Sequence, residues 1–315
     1  MRRARSCGGV IDQRFDLRSL MMIVFSGVLA FLASPGCAVE VAVDAGHTLA
    51  AHGASSARGG REFDFNRVLA KRVSHELGLR QLDVRPINFD GKIESLAARP
   101  EQAAGADFFI SIHHDSVHAD LLQEWDWQGS PQTYSDDYSG FALFVSHDSP
   151  DLATSLRCAS AIGARLRRLG FQPARHHANP PSGTPRAVAD AANAVHYYDK
   201  LVVLYRTTLP AVLFEAGVIK NRDEELLLLD ANRQARMADG IATGIAACLY
   251  AAQGSNGKPQ RAAPTATVPT PLSGKQGPLP APRTPAFRPF DTPLHRPSRT
   301  RSLSPPSPFS APVPH

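Results

Sequence analysis

From Val39 to Ala251 the chain alternates short apolar runs with longer stretches whose apolar residues recur at helical spacing. That alternation restricts the fold to layers of helix packed on a sheet. Six runs read as strands: VEVAVDAGH, LDVRPINF, DFFISIHH, GFALFVS, LVVLYRT and PAVLFEAG. Between the first two, Phe65, Val68, Leu69, Val73 and Leu77 mark one face of a helix that closes at Gly78. Further helices are expected from Lys92, begun or interrupted at Pro100, then over PDLATSLRCASAIGARLRRLGF, over 221–229, where Asn221 and Glu224 read as a capping box, and over 233–251. The expectation is an α/β fold with one open, mostly parallel or mixed six-stranded sheet and helices on both faces.

In such sheets sites gather at the carboxyl ends of strands, and three of these strands end in His47, His113 and Glu215. Side chains alternate along a strand, so His113 and His114 face opposite ways and a single metal site takes one of them. Glu62 shares the inward stripe of its helix with Phe65 and Leu69, and a buried carboxylate needs a partner, a cation or an arginine such as Arg99. Two histidines and a glutamate are a common ligand set for catalytic zinc, with a second glutamate to move protons. Each residue also has a structural reading: a strand-ending histidine, a salt-bridged glutamate, a carboxylate that opens a loop.

Charge divides the chain. The net charge is +5, but residues 253–315 carry eight Lys/Arg against one acidic residue, and residues 1–38 carry five Arg against two Asp, leaving −5 on residues 39–252. An acidic middle argues against nucleic-acid binding, which needs its basic surface on the folded part. Residues 253–315 also hold 16 of the 26 prolines and no apolar periodicity, and read as a disordered tail. Such a basic tail suits weak contact with anionic envelope surfaces, an inert extension being the alternative. Basic residues followed by LMMIVFSGVLAFL and ASPGCAVE fit a signal peptide over residues 1–38, its apolar run short of the roughly 20 residues that span a bilayer. A buried first helix is the alternative. Cys37 raises a lipoprotein reading, opposed by Ser34 at a position that favours Leu. Export would permit a Cys158–Cys248 disulfide, with buried free thiols the other outcome.

The blocks VAVDAGHT, GGREFDFN, LAARPEQAAGADFFISIHHDS and VVLYRTTLPAVLFEAGVIKNRDEEL resemble, in order and spacing, the zinc-dependent N-acetylmuramoyl-L-alanine amidases of the family-3 type. The resemblance covers residues 39 to about 250. It implies one zinc per chain on His47, Glu62 and His113, with Glu215 catalytic, cleavage of the amide between N-acetylmuramic acid and L-alanine of peptidoglycan, and an exported protein of the periplasm or cell envelope. The chain departs from the family in having His114 where Ala is more usual and Asp115 in place of Asn, to orient His114 or contact substrate. The stretch 117–139 is longer than expected, its Trp125, Trp127, Tyr134 and Tyr138 either lining a sugar-binding rim or pinning their own loop. The long insertion of self-blocked amidases is missing. His176 and His177 fall in a polar loop, either exposed to solvent or, for His177, in contact with substrate. Two rivals remain: a zinc hydrolase for another bond of peptidoglycan or peptide, and an inactive wall-binding protein. Oligomeric state is not legible.

Overall fold

The computed structural model describes residues 39–256. In chain order its elements are β1 (Glu40–Ala45), α1 (Glu62–Gly78), β2 (Asp83–Ile87), α2 (Ala98–Gln102), β3 (Phe108–Asp115), β4 (Gln123–Trp127), β5 (Ser130–Tyr134), β6 (Ala142–Val145), α3 (Leu152–Arg168), β7 (Val188–Asp190), β8 (Val195–Tyr197), α4 (Val202–Tyr205), β9 (Ala211–Val218), α5 (Arg222–Leu229) and α6 (Ala231–Asn256). Seven strands form one sheet in the order β2-β1-β3-β9-β6-β8-β7. The pairings β1–β2, β1–β3, β3–β9 and β6–β8 are parallel, while β6–β9 and β7–β8 are antiparallel. The expected signal peptide and nearly all of the proline-rich tail lie outside the described residues. Among the described residues no helix is long and apolar enough to cross a membrane.

Both faces of the sheet are covered, as the apolar runs require. Phe108, Ile110 and Ile112 of β3 point to the core shared with α1, α3 and α6, where Phe63, Leu69 and Val73 also lie. Phe109 and Leu213 point the other way, to a smaller core with Val203 and Leu204 of α4. Pro86 is tolerated in β2 because that strand is an edge of the sheet. On the larger face α3 and α6 are joined by a Cys158–Cys248 disulfide, with Cα atoms 5.1 Å apart, so the paired state is the one adopted.

Four expectations need correction. LVVLYRT is not a strand: its Val202–Tyr205 segment is the single helical turn α4, and a short apolar run cannot be told from a buried helical turn by periodicity. The remaining two strands of the sheet are β7 and β8, three residues each and too short to show alternation, which makes seven strands rather than six. The helix expected from Lys92 is confined to Ala98–Gln102, with Pro100 in its first turn where no amide donor is required. Asn221 does cap α5, accepting from the amides of Asp223 and Glu224, but Glu224 does not complete a capping box. Its buried carboxylate instead accepts from the Val218 and Gly140 amides at 2.8 and 2.9 Å, tying the end of β9 to the entry of β6.

Candidate functional site

The carboxyl ends of β1, β3 and β9 lie side by side, and His47, His113 and Glu215 converge there with Glu62 from the first turn of α1. Glu62 Oε1 stands 3.0 Å from His47 Nε2 and 3.2 Å from His113 Nδ1. The three donor atoms lie within 4.8 Å of one another. A nitrogen–oxygen–nitrogen set so gathered fits a zinc-type ion. Burial pushes the Glu62 carboxyl up, but hydrogen bonds and charge from His113 and His47 outweigh it and hold the group well below the usual range.

Each of these residues is fixed by its surroundings. Glu62 Oε2 accepts from the Ala54 amide at 3.0 Å, and Oε1 accepts from Asn66 Nδ2 at 3.1 Å. His47 sits in the left-handed region at φ 67°, unusual for a residue with a Cβ. Its carbonyl accepts from Asn88 Nδ2 at 2.6 Å and from Arg99 Nη2 at 2.8 Å, which holds the strained turn. Arg99 therefore does not pair with Glu62; its carboxylate neighbour is the buried Asp44, 3.8 Å away. Gly46 is required by close approach, because a Cβ there would run into the His113 ring.

His114 faces away from His113, as alternation requires. It is 3 % exposed, lies against Phe65, and its Nδ1 is 2.8 Å from Asn66 Oδ1. Burial, with the His113 and Arg233 charges, lowers its pKa to about 3 despite the opposing Glu62, so the ring is neutral. His114 thus acts on the site indirectly: it orients Asn66, which binds Glu62.

Glu215 also lines a cavity of about 230 Å³, together with Asp115, Tyr138, His176 and His177 among others. Asp115 is turned toward this cavity and not toward His114, with Oδ2 2.9 Å from both His176 Nε2 and His177 Nε2. Burial raises its pKa, but the close approach of the His176 and His177 rings prevails and brings it down to about 2. His176 and His177 are accordingly not in solvent; their side chains are 11 % and 13 % exposed. Glu215 Oε2 is buried without a hydrogen-bond partner among the described residues. Burial first, then the Asp115 and Glu62 charges, raise its pKa well above the ordinary carboxylate value.

The long stretch after β3 folds as the β4–β5 hairpin. Trp125 Nε1 donates to the Ala57 carbonyl at 2.8 Å, and Arg222 lies 3.7 Å over the Tyr134 ring. Trp125 and Tyr134 pin the hairpin, and of the four aromatics considered for a rim only Tyr138 lines the cavity. Sequence reasoning missed Asn66, Asn88 and the approach of Asp115 to His176. Asn66 carried a signal: it lies four residues after Glu62, on the same helix face.

Comparison with known proteins agrees with this architecture. Similar solved structures include N-acetylmuramoyl-L-alanine amidase from Clostridium difficile 630, at 20 % identity and TM-score 0.53, covering 68 % of this chain and 97 % of that one. Another is the amidase Ami1 from Mycobacterium smegmatis, at 20 % identity and TM-score 0.52, covering 68 % and 97 %. Ami1 from Mycobacterium abscessus in its apo form gives 19 %, 0.52, 67 % and 98 %. These likenesses bear on the fold. No curated protein matches the chain significantly. The model of the N-acetylmuramoyl-L-alanine amidase family (Amidase_3) matches residues 41–247, well over half of the 315 residues. The chain belongs to the N-acetylmuramoyl-L-alanine amidase family.

Proposed function

We propose that this amidase is an exported, zinc-dependent peptidoglycan hydrolase that cuts the bond between the lactyl group of N-acetylmuramic acid and L-alanine, with His47, Glu62 and His113 as metal ligands and Glu215 as the proton carrier. The observation that carries the reading is the placement of Glu215 beside the ligand set, with a buried oxygen that no group among the described residues satisfies. Bound zinc supplies Lewis acidity toward the amide carbonyl and makes water a stronger acid. Glu215 accepts the proton of the attacking water and delivers it to the departing alanine nitrogen. The high proton affinity imposed by burial, Asp115 and Glu62 suits both acts, since a weakly basic carboxylate would do the first poorly. Asn66, Asn88 and Arg99 hold Glu62 and the His47 turn in position, so little reorganisation is needed on binding.

The Cys158–Cys248 disulfide supports export, because such bonds persist in oxidising compartments. We assign residues 1–38 to the signal peptide, 39–252 to the catalytic domain and 253–315 to the basic tail. Digestion of purified sacculi followed by mass spectrometry tests the scissile bond. Free stem peptides beginning with L-alanine are expected. Cuts between residues of the stem peptide would replace this reading with that of another zinc hydrolase, and intact sacculi with the zinc-loaded enzyme would replace it with wall binding alone.

A further inference from the structure

Asp115, His176 and His177 repeat, beside Glu215, the donor set that Glu62 forms with His47 and His113. We propose that they constitute a second divalent-cation site, suited to a borderline metal of the zinc class.

Two imidazole nitrogens and one carboxylate oxygen make up the set, and the three atoms lie within 4.8 Å of one another. Asp115 Oδ2 is 2.9 Å from each Nε2, against 3.0 and 3.2 Å for the corresponding separations around Glu62 Oε1. Ligands at ~2.1 Å around a tetrahedral ion are roughly 3.4 Å apart, so both sets need only a small expansion to accept one. Nitrogen with oxygen donors selects zinc-like ions over calcium or magnesium, which favour all-oxygen cages.

Hydrogen bonding alone does not account for the cluster. Asp115 Oδ2 pairs with His176, whereas His177 Nε2 is buried, out of line with the same oxygen and without a hydrogen bond. Oδ2 is aligned with the His176 ring and not with that of His177; a cation among the three lone pairs gives each of them a partner. The other carboxylate oxygen, Oδ1, accepts from the Ser116 amide at 2.8 Å, which turns Oδ2 toward the histidines. The rings are also held in place. His176 lies edge-on to Tyr138 at 5.3 Å and His177 edge-on to Phe144 at 5.0 Å, while the His177 carbonyl accepts from the Arg186 amide at 2.8 Å. The cavity they line provides the approach for an ion.

Such a site raises the metal content from the one ion implied by the family resemblance to two. It also places positive charge beside Glu215, where Asp115 contributes negative charge. The proposal stands apart from the assignment of the first set, and metal counting separates them. Full-length protein is stripped with chelator, dialysed against zinc, and its metal measured by mass spectrometry alongside the His47→Ala, His176→Ala and His177→Ala variants. Two ions per chain are expected for the natural sequence and one for each variant. If an alanine variant lacks a cooperative melt, His177→Gln and Asp115→Asn replace it. One ion in the natural sequence, unchanged by either loop variant and lost in His47→Ala, would end this proposal and leave the first set standing. Two ions that survive both loop changes would place the second elsewhere and likewise overturn it. His177 would then revert to a substrate contact.

Discussion

Glu215 of β9 is the direct parallel partner of His113 on β3, so the proposed base and a proposed ligand are neighbours across one pair of strands. Immediately beyond this pair the register slips, Asp115 lying opposite Val218. The slip ends regular pairing beside the proposed site, which is a recurrent place for such irregularities.

The pairing separates the role of Glu215 from that of the ligands. Glu215→Gln keeps the shape and removes the proton acceptor. It should retain zinc at the His47, Glu62 and His113 set and lower turnover on muropeptides by ~100-fold or more. Near-normal turnover by metal-loaded Glu215→Gln would take Glu215 out of the mechanism.

Asn66 reaches Glu62 and the Gly46 carbonyl from one amide and His114 from the other end. Asn66→Ala should weaken zinc binding by about 10–100-fold, as removal of groups that orient ligands generally does. His113→Ala should abolish binding at this set altogether. Competition with a chromogenic chelator reads both. Equal affinity in Asn66→Ala and the natural sequence would show that Glu62 is held without it.

His114 gives a pH signature. Its folded pKa, lowered to about 3 chiefly by burial, lies below the ~6.5 of an unfolded histidine. Between these values the unfolded chain binds the extra proton, so the stability due to neutral His114 is complete above pH ~6.5 and is lost as pH falls toward 3. The loss runs at ~1.4 kcal/mol per pH unit. In metal-free protein, the stability gap between the natural sequence and His114→Gln should therefore narrow from pH 7 to pH 5, other titrating groups cancelling in the difference. Urea titrations measure it, and a gap independent of pH would refute a neutral buried ring.

The disulfide closes a long loop, with a sequence separation of 90. Replacing both Cys158 and Cys248 by Ala should cost ~2–4 kcal/mol under oxidising conditions. Adding reductant should bring the natural protein down to the same denaturation midpoint. A midpoint indifferent to reductant would mean that the bond contributes nothing.

The legible residues were those that broke a pattern. His47, His113 and Glu215 break apolar runs toward their carboxyl ends, and Glu62 places charge on an inward helix face, so the anomaly is local and visible in one window of sequence. Arg99 and Asn88 break no pattern; their importance arises only when two turns meet at the His47 carbonyl. The contact of Asp115 with His176 spans 61 residues and depends on how one loop returns over the sheet. The strand edges failed for a different reason: β7 and β8 carry too few residues for a period of two to show, and α4 too few for 3.6.

The covalent loop between Cys158 and Cys248 contains His176, His177 and Glu215, whereas His47, Glu62 and His113 all precede it. A protease cut within the polar stretch from Asn179 to Thr184 would therefore not release a fragment. The nicked chain would keep its mass on a non-reducing gel and separate into two bands only with reductant, and a single scission there would leave Glu215 tethered to the half that bears His113.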